Sequence, residues 1–213
     1  MYNIVAVTGP MRSGTSLVAA ALHAMGVRMA EALIAPMPGG HVQWEDRAFG
    51  LRVADAVLHQ RSLSRIIFRN WFLERDHSAR MLARTFDVDG WGVKAPPLVL
   101  LRHQFEELAA EHDFHVQWVT CDRPVADCRA AQRAWARRWI TKGGAEISLA
   151  FRLEEGLDAR VRAALPLSSA ACHVDFDEWR DDPDGLARHL CDSLSLNPSR
   201  VAAGAAAITP RRQ

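Results

Sequence analysis

Little in this chain marks it for an extracellular, membrane or polynucleotide setting. Its four cysteines, Cys121, Cys128, Cys172 and Cys191, are scattered without C-x-x-C spacing, so a reducing cytoplasm is the expected compartment. Charge of one sign is also missing: 26 Lys+Arg stand against 25 Asp+Glu, a net charge of +1, and any anion site must be local rather than a property of the whole surface. No apolar run approaches the roughly 20 residues that span a bilayer. The N-terminal stretch lacks a basic start followed by an apolar signal core, so a soluble protein without a membrane span is expected. The nine histidines include no H-E-x-x-H pair, and no metal site is expected. The absence of a G-x-S-x-G elbow argues against a serine hydrolase.

What is present is an alternation of periods. Asn3–Thr8 (NIVAVT) is a short β-branched run of the kind buried on both faces of a sheet. From Ser16 the pattern turns helical, with Leu17, Ala20, Ala21 and Ala24 on one stripe that Gly26 closes. Further strands read at Trp91–Lys94, His115–Cys121 and Ala171–Phe176. Amphipathic helical stretches read at Glu45–His59, Leu98–Glu111, Val125–Ile140, Glu146–Leu165 and Pro183–Leu194. The alanine-rich Val201–Ala207 reads as a last helix or a frayed end. Strands alternating with helices predict a three-layer α/β fold: a mostly parallel central sheet flanked by helices, in a single domain over residues 1–213. The basic run RAAQRAWARRWITK places Trp135 and Trp139 four apart, the spacing of a packed helix face, and no nucleic-acid partner is expected.

The informative junction is VTGPMRSGTSLVAAALHAMGV, from Val7 to Val27. A P-loop reads G-x-x-x-x-G-K-S/T, and here Gly9-Pro10-Met11-Arg12-Ser13-Gly14 runs straight into Thr15-Ser16 with no lysine. Backbone N–H groups in a glycine turn at a helix N-terminus converge on one point, where the helix dipole favours negative charge. Ser13, Gly14, Thr15 and Ser16 therefore form a predicted anion cradle, with Arg12 adding a charged fork. The alternative is a tight βα turn with a solvated Arg12. The missing lysine removes the usual β/γ-phosphate contact of ATP- and GTP-using enzymes.

This loop resembles that of the sulfotransferase family, in which a strand is followed by P-R/K-S-G-T-S/T and a helix. Arg12 to Ser16 match position by position, with Pro10 one residue earlier than the family's proline. GGHVQWEDRAFGLRVADAVL, WGVKAPP, DRPVADCRAA, HVDFDEWRDDP and ITPRR are similar to later segments of bacterial members, in the same order. The resemblance implies a P-loop NTPase-like sulfotransferase fold and the co-substrate 3′-phosphoadenosine 5′-phosphosulfate. It also implies transfer of a sulfuryl group to an acceptor hydroxyl or amine on a small molecule, glycan or lipid. On the matching positions, Arg12 and the Ser13–Ser16 backbone take the 5′-phosphosulfate. Lys94 stabilises the leaving charge, and Glu45 rather than its neighbour Asp46 is the base. Arg211 and Arg212 resemble the family's terminal basic pair. Read without the resemblance, Glu45 and Asp46 are also what a first helical turn uses as caps or dipole partners, and Lys94 is a loop lysine.

Two segments depart from the family pattern. Where members continue Lys-Asp-Pro-Arg, this chain has Lys94-Ala95-Pro96-Pro97. Where an arginine two residues before Pro124 and a serine six residues after it hold the 3′-phosphate, this chain has Asp122 and Ala130. Arg123 is the nearest replacement, with Arg129 as a helper, while Asp122 would repel the phosphate. Either the donor is held in an unusual way or another nucleotide is used. A P-loop kinase, with Asp122 as its acid, and a nucleotide-binding protein that has lost catalysis are the rival readings. Trp44 and Trp91 are candidates to line an acceptor pocket.

Overall fold

A computed structural model of the protein describes residues 2–29, 49, 53, 56, 57, 90–140, 156–165 and 170–208. In chain order these are β1 (Tyr2–Thr8), α1 (Thr15–Ala24), β2 (Val27–Arg28), β3 (Gly90–Lys94), a 3-10 turn (Pro96–Leu101), α2 (Arg102–Ala110), β4 (Phe114–Asp122) and α3 (Val125–Ile140). There follow α4 (helical over 156–164), β5 (Ala170–Asp175), α5 (Phe176–Trp179), α6 (Pro183–Leu194), a second 3-10 turn (Pro198–Arg200) and α7 (Val201–Ile208).

The five strands form one all-parallel sheet in the order β2-β3-β1-β4-β5, flanked by helices. Parallel strands need helical crossovers, and those crossovers cover both faces. β1 shows the result: Ile4 and Ala6 face a core shared with α2 and Trp118, whereas Val5 and Val7 face a core shared with α1, α6 and α7. Period-2 alternation therefore has no polar face to point to, and the strand reads as uninterrupted apolar sequence. Phe49, Val53, Ala56 and Val57 are helical, buried and spaced to lie on one helix face; Phe49 meets Phe105 of α2 edge to face at 5.7 Å.

Several expectations are corrected. In α1 the buried side chains are Thr15, Val18, Ala19, Ala21 and Leu22, so of the expected stripe only Ala21 is fully buried. Alanines flank every turn of this helix, and they give too little contrast to fix its rotation. The stretch expected to be helical from Leu98 begins instead as a 3-10 turn over Pro96–Leu101, with the two prolines in its first turn, where no N–H is required, and becomes α-helical only at Arg102. Phe176 ends the expected strand but starts α5, whose N-cap Asp175 accepts the Asp177 N–H at 3.0 Å. Of the two readings of the alanine-rich segment the helix holds, over Val201–Ile208, with Gly204 and Ala205 buried against α1 and α6. Among the described residues no helix is long and apolar enough to cross a membrane.

Topology and register together position the site. The chain leaves β1 for β2, returns to β3 beside β1, and then crosses to β4 on the other flank of β1. The order of strands thus reverses at β1, the place where open parallel sheets bind ligands beyond their carboxyl ends. Register pairs Val7 with Lys94, Thr8 with Thr120, and Asp122 with Asp175. The segments that leave β1, β3, β4 and β5 therefore emerge on one edge of the sheet.

Candidate anion-binding site

The loop after β1 needs unusual backbone angles: Gly9, Arg12 and Gly14 have φ of 153°, 68° and 94°. Two of these are glycines because a side chain would not fit. A Cβ on Gly9 would lie 2.3 Å from the Cys121 carbonyl oxygen, and one on Gly14 would lie 2.3 Å from the Phe176 ring. The Ser13 N–H donates to the Pro10 carbonyl at 3.2 Å and closes the turn. Gly14 is the N-cap of α1, no side chain caps the helix, and its first turn holds no acidic residue. The first N–H groups of a helix have no acceptor within it, and this helix supplies no carboxylate of its own at its positive end.

That helix end opens on a cleft of about 470 Å³ lined by Met11, Arg12, Gly14, Thr15, Ser16, Leu17, Lys94, Pro96, Arg123, Ala131 and Phe176. Of the residues singled out in the sequence, Arg12, Gly14, Thr15, Ser16, Lys94 and Arg123 meet there. Ser13 is fully buried and does not line the cleft; its Oγ has no hydrogen-bond partner among the described residues. Glu45, Asp46, Trp44, Arg211 and Arg212 lie outside the described residues. Arg129 is exposed and away from the cleft wall. Trp91 belongs to the core, 3% exposed beneath the Arg28 guanidinium at 4.9 Å, and does not line the cleft.

Lys94 is only 5% exposed. An ammonium so placed is expensive to desolvate, and charge–charge attraction there is poorly screened. The strand behind it is held by the Ala95 N–H to the Val7 carbonyl at 3.2 Å, and by the Thr8 hydroxyl to the Pro96 carbonyl at 2.7 Å. Its charge reaches Cys121, whose thiol pKa is nonetheless driven up, first by burial and then by Cys172.

Arg123 follows β4 directly. Its guanidinium lies over the Phe176 ring at 4.7 Å, and its Nε is 3.6 Å from the Asp177 carboxylate, beyond hydrogen-bond length. Asp122 does not stand as a bare negative charge. Its Oδ1 accepts from the Arg123 N–H at 2.7 Å and from Arg162 Nη1 at 2.8 Å. The repulsion expected of Asp122 toward an anion is therefore offset by a guanidinium that the sequence pattern did not single out.

Asp158, Arg162 and Phe176 also belong to this region, and their sequence context does not mark them out. Phe176 falls in an otherwise strand-like run. Asp158 and Arg162 sit in a helix full of charges, where their i,i+4 spacing is that of any exposed pair. No protein-family model matches the chain, and no curated protein matches it.

Proposed function

We propose that the protein transfers a sulfuryl group from 3′-phosphoadenosine 5′-phosphosulfate to an acceptor hydroxyl or amine, on a P-loop NTPase-like sulfotransferase scaffold. The single observation that supports this most is the meeting, in one cleft, of the lysine-free loop with Lys94 and Arg123, delivered from the ends of three neighbouring strands. A donor with anionic groups at two ends of one nucleoside needs separated cationic contacts. Arg12 with the α1 N-terminus serves the 5′-phosphosulfate, and Arg123 the 3′-phosphate. Transfer is in line: the acceptor oxygen or nitrogen bonds to sulfur as the bond from sulfur to the bridging phosphate oxygen breaks. The acceptor's proton passes to Glu45, and the electron pair left on the bridging oxygen is met by Lys94. No covalent enzyme intermediate is needed.

The kinase reading needs an acid free to hold magnesium, and Asp122, at the end of a strand adjacent to β1, is where it would come from. Its charge is already matched by the Arg162 guanidinium at 2.8 Å, which weakens its pull on a divalent cation and favours the sulfuryl reading.

The test is incubation of the protein with donor labelled in its sulfuryl sulfur and a panel of phenols, sugars, amines and lipids. Label should appear in an acceptor, and Glu45→Gln should lower that turnover by about 10²–10⁴ while donor affinity stays within about twofold. Transfer from γ-labelled ATP instead would establish the kinase reading. Nucleotide binding without transfer to any acceptor would favour a protein that has lost catalysis.

A further inference from the structure

A continuous run of hydrogen bonds crosses from the loop after β1 to the turn after β4, and it passes through α4. The Met11 N–H, in the loop, donates to Asp158 Oδ1 at 2.9 Å across 147 residues of sequence. The other oxygen of that carboxylate accepts from Arg162 Nε at 3.1 Å, one helical turn further on. Arg162 Nη1 then donates both to Asp122 Oδ1 at 2.8 Å and to the Arg123 carbonyl at 2.9 Å. Asp122 closes the set by accepting the Arg123 N–H. Both carboxylates are thus oriented by one guanidinium, whose Nε and Nη1 together reach three acceptors from the fixed positions of a planar fork. Side-chain exposures of 18% for Asp158 and 19% for Arg162 put the pair largely out of water, where such contacts are screened least.

We infer that Asp158 and Arg162 are positioning residues that tie the backbone of the anion loop to the backbone on either side of Arg123, so that the two cationic walls of the cleft hold one spacing. The inference rests on the reading of this cleft as a site for a doubly anionic nucleotide. Neither residue lines the cleft. Arg162 acts through Arg123 and Asp122, and Asp158 acts through Met11, whose neighbour Arg12 is held at φ 68°. The pair also explains how Asp122 is tolerated beside Arg123. Its charge is matched by Arg162 before any ligand arrives.

The test begins without ligand. Amide hydrogen exchange, followed by mass spectrometry on the full chain, compares the wild type with Arg162→Met, Asp158→Asn and, as a control on the same helix, the exposed Arg160→Met. In Arg162→Met, exchange should quicken by at least about tenfold both in the loop over 9–14 and in the turn over 121–124, the factor expected when a hydrogen bond to a charged group is lost. It should stay unchanged in α6, and Arg160→Met should change neither segment. Unchanged exchange in the loop, or acceleration spread evenly over the molecule, would overturn the inference. Where Arg162→Met does not fold, Asp158→Asn carries the same comparison, because it keeps the side chain's shape while presenting an N–H to Arg162 Nε.

A second readout uses adenosine 3′,5′-bisphosphate. Affinity should fall by at least about tenfold in Arg162→Met and recover in part when Asp122→Asn is added, because the unmatched carboxylate is then gone. No recovery would overturn the charge-matching part. A wild type that binds no nucleotide yet shows the coupled change in exchange would refute the nucleotide reading and leave the positioning role standing.

Discussion

A guanidinium above a phenyl ring is attracted by the ring's negative face, and the Arg123 guanidinium carbon lies 4.7 Å from the Phe176 ring centroid. Its carboxylate neighbour Asp177 stands at 3.6 Å, close enough to attract and too far for a hydrogen bond. An arginine so held is ready for an oxyanion. Arg123→Ala should therefore weaken adenosine 3′,5′-bisphosphate by about 1.5–3 kcal/mol while leaving adenosine 5′-phosphosulfate almost unaffected, as measured by calorimetry on both ligands. Equal losses would mean that Arg123 serves the part of the ligand common to both, and no loss would place the 3′-phosphate elsewhere. Arg123 stands out in the sequence because the resemblance leaves it next to a mismatched Asp122, and the structure puts it on the cleft wall. Arg162, which makes that mismatch tolerable, was not legible: it lies 40 residues away from Asp122 on a helix whose charges all look alike in sequence.

At the scale of elements, the strand, loop and helix around residues 2–24 form one wall of the candidate cleft, and their sequence shows them clearly. A two-faced apolar strand, paired glycines and a change to helical spacing each follow from what the backbone must do there. Rotation of α1 did not show, because alanines surround it. Nor did β2, whose two residues are too short to carry a period. The junction itself makes a sharp prediction. Gly14 combines φ 94° with a Phe176 ring where its Cβ would go, so Gly14→Ala must both strain the backbone and displace the ring beneath Arg123. Urea denaturation should show a loss of about 1–3 kcal/mol, accompanied by weaker nucleotide binding. A variant as stable as the wild type would mean that the loop relaxes freely and that its geometry is not fixed by α5.

Across the whole molecule, the alternating strand and helix periods made the parallel sheet readable, but not the strand order. That order comes from long-range pairing, which local pattern does not encode, and it is what brings Lys94 and Arg123 to opposite flanks of the loop after β1. The four cysteines report on the integrity of this assembly. All are buried: Cys121 and Cys172 lie in the core between the sheet and α6, and burial pushes the Cys172 thiol from 9.0 up to about 11. A disulfide-exchange reagent should label none of them in the native protein and all four in denaturant. Because the folded thiol holds its proton where the unfolded one has lost it, Cys172 stabilises the fold fully below pH 9.0, and this contribution is lost as pH rises toward about 11. Rapid labelling at neutral pH would show that this face of the sheet opens.

The account turns on whether the cleft selects a nucleotide that is anionic at both its 3′ and 5′ positions. The most direct measurement is a calorimetric titration, at one salt concentration, of adenosine 3′,5′-bisphosphate, adenosine 5′-phosphosulfate, ATP with magnesium and GTP with magnesium into the same preparation. The 3′,5′-bisphosphate is expected to bind most tightly. At about 100 times its dissociation constant it should raise stability by roughly 2.7 kcal/mol. Tighter binding of magnesium ATP or GTP, or binding of none of the four, would contradict it.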